Sequence, residues 1–350
     1  MQDISYQHTL SILQNGISVV FYDVTTIYFE CDSEDDLRKT GFSKEGKHQH
    51  PQIVLGLLVS RVDQTLAYEI FKGNQFEGHT LLPVIDAFKA KYNLEKLVVV
   101  SDAGLLSKNN IELLEQGGYE YILGARIKTV DKNLQEKILS LKLKNGASEA
   151  IPLDPKTKLI INFSSLRARK DAHNRERGIA KLNKQVKSGK LTKSSINNRG
   201  YNKFLSIDNE VKISVNQQKI EGDKKWDGLK GYITNTSLSI DEVLENYKDL
   251  WQIEKAFRVA KTDLEIRPIY HRLQRRIEAH ICIAFVAYKI YKELERQLKE
   301  KKSPLSAEKA IEIAKTIYAL KIVHPISKQV TYTTIIKTKE QRDLADLFDF

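Results

Sequence analysis

Three acidic residues are placed where they could hold divalent metal ions. Asp23 follows a β-branched and aromatic run at residues 17–22, Asp102 follows the apolar run at residues 96–101, and Glu254 lies in a segment of helical periodicity. Carboxylates are the ligands that Mg²⁺ and Mn²⁺ prefer. Two such ions promote phosphodiester cleavage, because one lowers the pKa of the attacking water or 3′-hydroxyl and the other neutralises the leaving oxygen. We therefore predict that Asp23, Asp102 and Glu254 are the metal ligands and catalytic residues of a site for two Mg²⁺ or Mn²⁺ ions.

Each of the two aspartates also has a purely structural interpretation. An Asp after an apolar run is often a strand stop or a helix cap, and this alternative stays open for Asp23 and Asp102 taken singly. Taken together they favour a metal site. Two strand ends that point the same way bring both carboxylates to one edge, where like charges repel unless a cation lies between them.

The residues around Glu254 suit contact with DNA. Tyr247, Glu254 and Lys261 are spaced by seven, so we expect them on one face of a single long helix, with Arg258 between the last two. An acid flanked by such side chains suits a metal ligand beside groups that bind a DNA backbone. Tyr247, Arg258 and Lys261 are therefore predicted DNA contacts. The alternative is a solvated face on which Glu254 and Arg258 form an ordinary i,i+4 pair.

The elements that must position the acids follow one order along the chain. Their patterns predict strands, then a helix, a strand, a short helix and a strand, at residues 17–23, 53–59, 66–71, 79–92, 96–102, 109–115 and 119–125. The order β-β-β-α-β-α-β combines a three-strand meander with right-handed crossovers. It predicts an α/β fold of the ribonuclease-H-like class, with a mixed sheet and flanking helices, in which the first and fourth strands are adjacent.

A long basic segment separates the fifth strand from the helix that should complete this fold. Residues 128–235 intervene, with strand-like pieces at 158–163, 210–215 and 231–235, and predict a β-rich insertion subdomain. Within them, residues 165–203 contain twelve Lys and Arg against only two acids, which accounts for nearly all of the chain's net charge of +11. A helix is expected inside this basic run, with its lysines facing outward and the following apolar residues facing inward: Ile179, Leu182 and Val186.

We predict that the basic run binds double-stranded DNA, because neutralising phosphates with Lys and Arg gives sequence-independent affinity. The residues expected to do so are Arg167, Arg169, Lys170, Arg175 and Arg177. The alternative is a face that only keeps the protein in solution.

The predicted organisation has four parts. Residues 1–127 form the first part of the core and 128–235 the basic insertion. Residues 236–305 form the second part of the core, with the Glu254 helix opened by Ser239 and a further helix, and 306–350 form a C-terminal helical tail.

Composition excludes several classes of protein. The chain has 350 residues, of which 41% are hydrophobic, enough for a sizeable core. Its longest late apolar stretch, residues 281–288, is too short to span a bilayer, and its N-terminus lacks the pattern of a signal peptide, so we expect a cytoplasmic protein without a membrane partner. Cys31 and Cys282 have the number and spacing of neither a disulfide framework nor a zinc site.

Several sequence blocks resemble a known family. They read FYDVTTIYFE around Asp23, QIVLGLLVS and LAYEIFKGN in the next strands, VVVSDAGLLS around Asp102, and LWQIEKAFRVAKTDLEIRPIYH around Glu254. Over residues 17–295 the chain resembles the insertion-sequence transposases of the DDE class, in particular the group with a strand-rich insertion before the last catalytic Glu. That group carries Tyr, two residues, Arg, three residues, Glu, six residues and Lys. Tyr247, Glu254 and Lys261 match this pattern, whereas Leu250 stands at the Arg position.

The resemblance implies an activity and its partners. Asp23, Asp102 and Glu254 would be the catalytic triad of metal ligands, and Tyr247 and Lys261 would contact DNA near the cleaved phosphate. The enzyme would hydrolyse DNA at the transposon ends, and the freed 3′-hydroxyls would attack target DNA directly, as in cut-and-paste transposition. A homodimer in complex with the DNA is also implied.

Two other readings stay open. Members of the family usually have an N-terminal region that recognises the transposon ends, whereas this chain begins almost directly at the first catalytic strand, so one expectation is a truncated, inactive DNA-binding remnant. The other is a stand-alone nuclease on the same fold, which cuts DNA but never joins a 3′-end to a target.

Overall fold

The computed structural model of the 350-residue chain describes residues 1–13, 16–43, 46–189, 191–197, 200–208 and 212–350. The α-helices in these ranges are α1 (Gln2–Ile12), α2 (Leu81–Tyr92), α3 (Lys108–Gln116), α4 (Lys132–Ser140), α5 (Ser165–Lys187), α6 (Gln217–Lys224), α7 (Ile240–Lys248), α8 (Trp251–Thr262), α9 (Gln274–Glu300), α10 (Ala307–Ala314) and α11 (Lys339–Phe348). The strands are β1 (Val19–Tyr28), β2 (Gln52–Ser60), β3 (Thr65–Lys72), β4 (Val98–Ser101), β5 (Glu120–Ala125), β6 (Ser148–Pro152), β7 (Lys158–Phe163), β8 (Leu205–Asp208), β9 (Lys212–Val215), β10 (Leu229–Thr234), β11 (Tyr318–Val323) and β12 (Val330–Ile335).

The chain divides into two compact units, and β1 runs through both. Unit 1 comprises Met1–Gln14, Thr25–Asn74 and Gln252–Phe350. Unit 2 comprises Asn15–Val24 and Gln75–Trp251. The predicted boundaries at residues 127, 235 and 305 do not coincide with these limits and stay a prediction about domain organisation.

Unit 2 is built on a mixed sheet in the order β1-β4-β5-β10-β7-β6. β4 is parallel to β1 and to β5, whereas β10 is antiparallel to both β5 and β7. All four residues of β4 are buried, as its unbroken apolar sequence predicts for a central strand covered on both faces. The strands predicted at 158–163 and 231–235 are β7 and β10, which continue the sheet beyond β5 together with β6. The strand predicted at 210–215 is β9 from residue 212 onward and pairs with β8 in a separate two-stranded sheet, whereas residues 210 and 211 lie outside the described ranges. Helices α4, α5 and α6 accompany these strands.

Unit 1 contains the meander β1-β2-β3 and the long helix α9. Every residue of β2 is buried. α9 buries the side chains that its spacing predicts to face inward: Ile277, Ile281, Ala284, Phe285, Tyr288 and Tyr291. Together the two units show the predicted mixed α/β fold of the ribonuclease-H-like class, with helices flanking the sheet. None of the helices in the described ranges is long and apolar enough to cross a membrane.

Two predicted elements differ from those observed. The single helix expected from Ser239 to Lys261 is two helices, α7 and α8, because hydrogen bonding tightens at the end of α7, where Leu250 N–H donates to the Tyr247 carbonyl at 3.2 Å. The C-terminal tail contains, besides two helices, the hairpin β11–β12. The capping box at the start of α7, in which Ser239 and Glu242 bond each other's backbone N–H, is as predicted.

Candidate active site

In unit 2, Asp23 and Asp102 lie on neighbouring parallel strands. Phe21 pairs with Val100, and continuing this register by two residues places Asp23 beside Asp102. Strands in a sheet are about 4.8 Å apart, so the two carboxylates project from adjacent positions. Asp102 directly follows β4, as predicted. Asp23 does not end its strand: β1 continues to Tyr28 through residues of high β-propensity, and Asp23 lies two residues beyond Phe21, the last residue that pairs with β4.

Both carboxylates are half-buried and oriented by backbone N–H groups. Val24 N–H donates to Asp23 Oδ1 at 2.7 Å, and Gly104 N–H donates to Asp102 Oδ1 at 2.8 Å. A Cβ added to Gly104 would lie 2.9 Å from that same oxygen, so glycine allows the turn to close on Asp102. These contacts fix the directions of two carboxylates that could act as hard oxygen ligands.

Tyr247 reaches the same row of the sheet. The register Ser101 to Leu123 continues from Asp102 to Gly124, and a Cβ on Gly124 would lie 2.4 Å from the Tyr247 hydroxyl and 3.0 Å from Ala103 N. Only a glycine leaves room for the phenol here. Sequence analysis did not single out Gly124, although a glycine inside a strand signals close approach of another group.

The ring of Tyr247 is packed rather than open to solvent. Only 8% of Tyr247 is exposed, its ring stands edge-on to Tyr232 with the centroids 4.6 Å apart, and Lys230 Nζ lies 4.4 Å from its centroid. Because α7 and α8 are separate helices, Tyr247 does not share a helix face with Glu254 and Lys261, and that expectation is wrong. Its contact with DNA stays a prediction.

In unit 1, Glu254 lies exposed in the first turn of α8, where the helix dipole favours a carboxylate. Its neighbour Lys255 donates to Glu295 Oε1 on α9 at 2.7 Å. Lys292, 5% exposed, bridges Glu295 and Asp63. Burial lowers the pKa of Lys292, but the charges of Asp63 and Glu295 outweigh burial, so its pKa is raised and it stays protonated. This network ties the start of α8 to α9.

Farther along α8, Lys261 and Arg258 lie as predicted on the helix that carries Glu254. Lys261 Nζ donates to Thr25 Oγ1 on β1 at 2.6 Å. Arg258 is exposed. Lys261, seven residues after Glu254, is on the same face of α8.

The three predicted metal ligands therefore do not all lie in one compact unit. Asp23 and Asp102 lie in unit 2, where the continued register of β1 and β4 makes them neighbours, and Glu254 lies in unit 1. Among the residues that the structure describes, no three His, Cys, Asp or Glu side chains are gathered closely enough to hold a metal ion. Cys31 and Cys282 are free, half-buried thiols.

The predicted basic helix is α5, and its two faces differ. Ile179, Leu182 and Val186 pack inward on a small core with Phe204, as predicted. Arg167, Arg169, Lys170 and Arg177 are exposed. Of the predicted outward lysines, Lys181, Lys184 and Lys187 are exposed as well.

Arg175 requires a correction, because it lies on the inward face of α5. It is 5% exposed, and its two terminal nitrogens donate to both oxygens of Asp227 at 2.5 Å. Asp223 lies 3.7 Å away. The hydrogen bond to Asp227 raises the pKa of Arg175. A guanidinium held in this bidentate pair stabilises the unit and is not presented to a DNA backbone.

Comparison with solved structures finds likenesses at low sequence identity. The piggyBac transposase synaptic complex with hairpin DNA matches with a TM-score of 0.46 and 7% identity, over 83% of this chain and 50% of that chain. The Mos1 mariner paired-end complex with Mn matches with a TM-score of 0.21 and 15% identity, over 34% of this chain and 40% of that chain. An Argonaute of Marinitoga piezophila with guide RNA matches with a TM-score of 0.25 and 10% identity, over 65% and 25% of the two chains. This chain spans about half the length of the piggyBac chain that it matches.

Comparison at the level of sequence is more specific than comparison with solved structures. No curated protein sequence matches the chain significantly. The family model described as a transposase DDE domain, however, matches residues 14–290, which is most of the chain and includes Asp23, Asp102 and Glu254. The chain therefore belongs to the family of transposases with a DDE domain.

Proposed function

We propose that this protein is a cut-and-paste DNA transposase that cleaves transposon ends and joins them to target DNA, with Asp23, Asp102 and Glu254 as catalytic metal ligands. The observation that supports the proposal is the parallel pairing of β1 with β4 in a chain of the DDE family, because continuing its register beyond Phe21 and Val100 brings Asp23 and Asp102 to neighbouring positions. Two adjacent like charges on a sheet favour a bound cation between them.

The donor set suits Mg²⁺ or Mn²⁺. Asp23 and Asp102 offer hard carboxylate oxygens oriented by Val24 and Gly104, and Glu254 adds a third on a helix held by Lys255. When bound, two such ions supply an activated water or 3′-hydroxyl and neutralise the leaving oxygen. The N–H groups of Val24 and Gly104 would keep the carboxylates of Asp23 and Asp102 in fixed directions, so that little reorganisation of these two groups is needed during the reaction.

Double-stranded DNA, as transposon ends and as target, is the proposed substrate. Arg167, Arg169, Lys170 and Arg177 on the exposed side of α5 would neutralise its phosphates. Lys261 and Tyr247 would lie near the cleaved phosphate, as the family pattern implies. Arg258, exposed on α8, is a further proposed DNA contact. We retain the homodimer of the DNA complex as part of the same proposal.

A strand-transfer assay on uncut and pre-cut transposon ends tests this function. With Mn²⁺ or Mg²⁺ present, we expect cleavage of uncut ends and joining of pre-cut ends to target DNA. Asp23→Asn, Asp102→Asn and Glu254→Gln should each reduce both reactions by on the order of 100-fold or more, because each removes a ligand of the ions that stabilise developing charge. DNA binding should persist in all three variants.

A matched control is Glu136→Gln, an exposed acid on α4 that carries no proposed role and should leave both reactions unchanged. Cleavage without joining would identify a stand-alone nuclease instead. DNA binding with neither reaction would identify a non-catalytic remnant. Full activity of Glu254→Gln would remove that residue from the proposed site.

A further inference from the structure

The hairpin β11–β12 is exposed on both faces. Residues 318–334 are all exposed, including the large apolar side chains Tyr318 (62%), Ile326 (87%) and Tyr332 (66%). An isolated two-stranded ribbon is marginally stable in water. Exposed apolar residues in such numbers mark a binding surface more often than a solvated one.

The root of this ribbon is held firmly in unit 1. Gln341 of α11 is 5% exposed, and its Nε2 donates to the Thr316 carbonyl at 3.1 Å and to Thr316 Oγ1 at 2.9 Å, just before β11 begins. Its Oε1 accepts from Lys337 N–H at 2.7 Å, just after β12 ends. One buried amide therefore bonds the residues that flank both strands of the ribbon. Each strand is about 20 Å long, at about 3.3 Å per residue.

The charge of the ribbon has one sign. Between Glu312 and Glu340 the chain contains no acid and five lysines: Lys315, Lys321, Lys328, Lys337 and Lys339. β12 adds hydroxyls from Thr331, Thr333 and Thr334. A basic, hydroxyl-bearing surface without acids is complementary to a polyanionic backbone.

The tip has the chemistry of an apolar wedge. Pro325 and Ile326 stand at the turn between the strands, and Lys328 in the left-handed conformation (φ +57°) closes it, with its N–H donating to the His324 carbonyl at 3.0 Å. Proteins that grip the minor groove commonly insert Pro or Ile between base steps. The major groove of DNA admits a two-stranded β-ribbon, and DNA-binding proteins that use β-strands place them in the major or the minor groove.

We propose that the β11–β12 hairpin is a second DNA-binding element, a ribbon that lies along a DNA groove with Ile326 as a wedge at its tip. The inference rests on the proposed action on DNA and adds a surface that the catalytic residues do not include. Lys321 and Lys328 contact phosphates, whereas Ile326 contacts bases and favours a bend in the duplex.

Equilibrium binding to a generic linear duplex, measured as a function of NaCl, tests the ribbon. Lys321→Glu with Lys328→Glu should weaken binding by about ten-fold or more near 0.1 M salt and lower the slope of log K against log salt by about 2, since two phosphate contacts are lost. The matched control Lys299→Glu with Lys309→Glu changes charge equally on α9 and α10 and should bind like the wild type.

The wedge is tested separately by Ile326→Ser. This variant should keep the salt slope of the wild type but lose the bend of a duplex about 30 base pairs long, read by energy transfer between dyes at its two ends. A retained bend would exclude the wedge.

Other outcomes separate this inference from the proposed function. If the ribbon variant binds like the control while charge reversal on α5 weakens binding, the ribbon proposal fails and the DNA substrate stands. If the wild type itself binds no DNA, the proposed function fails as well. If the ribbon variant changes the molar mass in sedimentation but not DNA affinity, the hairpin is an interface between copies of the chain, and the ribbon proposal is overturned.

Discussion

At the scale of single residues, Gly124 is as informative about the candidate active site as the acids themselves. Its missing side chain admits the Tyr247 hydroxyl to the row of the sheet that holds Asp102. The acids could be found from the sequence because carboxylates after apolar runs stand out. Gly124 could not be assigned, because the atom that fills its space comes from a residue more than a hundred positions later.

This contact leads to a prediction. Gly124→Ala should destabilise the protein by about 1–3 kcal/mol in urea denaturation, because its Cβ would meet the Tyr247 hydroxyl at 2.4 Å. Combined with Tyr247→Phe, the loss should be smaller than the sum of the single effects, since the phenol Cζ is 3.3 Å away. Gly222→Ala in α6, where a Cβ would meet nothing within 4 Å, is the control and should not destabilise. Strict additivity would contradict the proposed contact.

At the scale of elements, α5 has an apolar face that packs inward and a basic face that is exposed. Its apolar periodicity was sufficient to predict which side packs inward, but its charges alone could not show that Arg175 belongs to that side. The distinction depends on Asp227, which lies 52 residues later and becomes a neighbour only after folding. The break between α7 and α8 could not be predicted from the sequence either, because no Pro or Gly marks it.

The two faces of α5 should respond differently to mutation. Reversing the exposed charges with R167E, R169E, K170E and R177E should leave stability nearly unchanged but weaken DNA binding and lower its salt slope by up to about 3–4. Arg175→Ala should instead destabilise by about 1–3 kcal/mol, because it leaves the half-buried Asp227 without its partner. Urea denaturation and salt-dependent DNA binding measure the two effects.

A charge-matched control for α5 is the reversal of four exposed lysines near α4, namely Lys132, Lys137, Lys142 and Lys144. This control should bind DNA more strongly than the α5 variant. Equal binding by the two would show that α5 acts only through net charge and solubility.

At the scale of the whole molecule, the order of the first five strands was predictable, and the path of the later chain was not. Local periodicity and length decide whether a segment forms a strand, and crossover rules then fix which early strands are neighbours. By contrast, β10 enters the sheet antiparallel to β5, with Tyr232 paired to Gly124. No local pattern encodes a pairing across more than a hundred residues, so the sequence predicted a β-rich insertion subdomain without indicating which of its strands join the sheet.

Acid stability is a further property of the whole chain, because carboxylates with lowered pKa occur in both units. In unit 2, burial raises the pKa of Asp223, but its bonds to Lys128 and Lys203 outweigh burial and lower it. In unit 1, the hydrogen bond from Arg296 lowers the pKa of Glu293 to about 2 against its ordinary 4.5, with Gln297 and His8 adding to the effect. Burial raises the pKa of Asp63, so this residue has the opposite effect on the pH dependence of stability.

A carboxylate whose pKa is lower in the folded than in the unfolded chain contributes stability above about pH 4.5 and loses it as pH falls toward 2. For Glu293 this contribution is on the order of 2 kcal/mol after allowance for solvent screening. We therefore expect the urea midpoint to fall steadily from pH 5 to pH 3, and Glu293→Gln to be less stable at pH 6 but to show a shallower fall. Glu136→Gln should follow the wild type throughout. An unchanged pH slope in Glu293→Gln would mean that the Arg296 contact is equally strong with the protonated acid, and the linkage argument would then fail for this site.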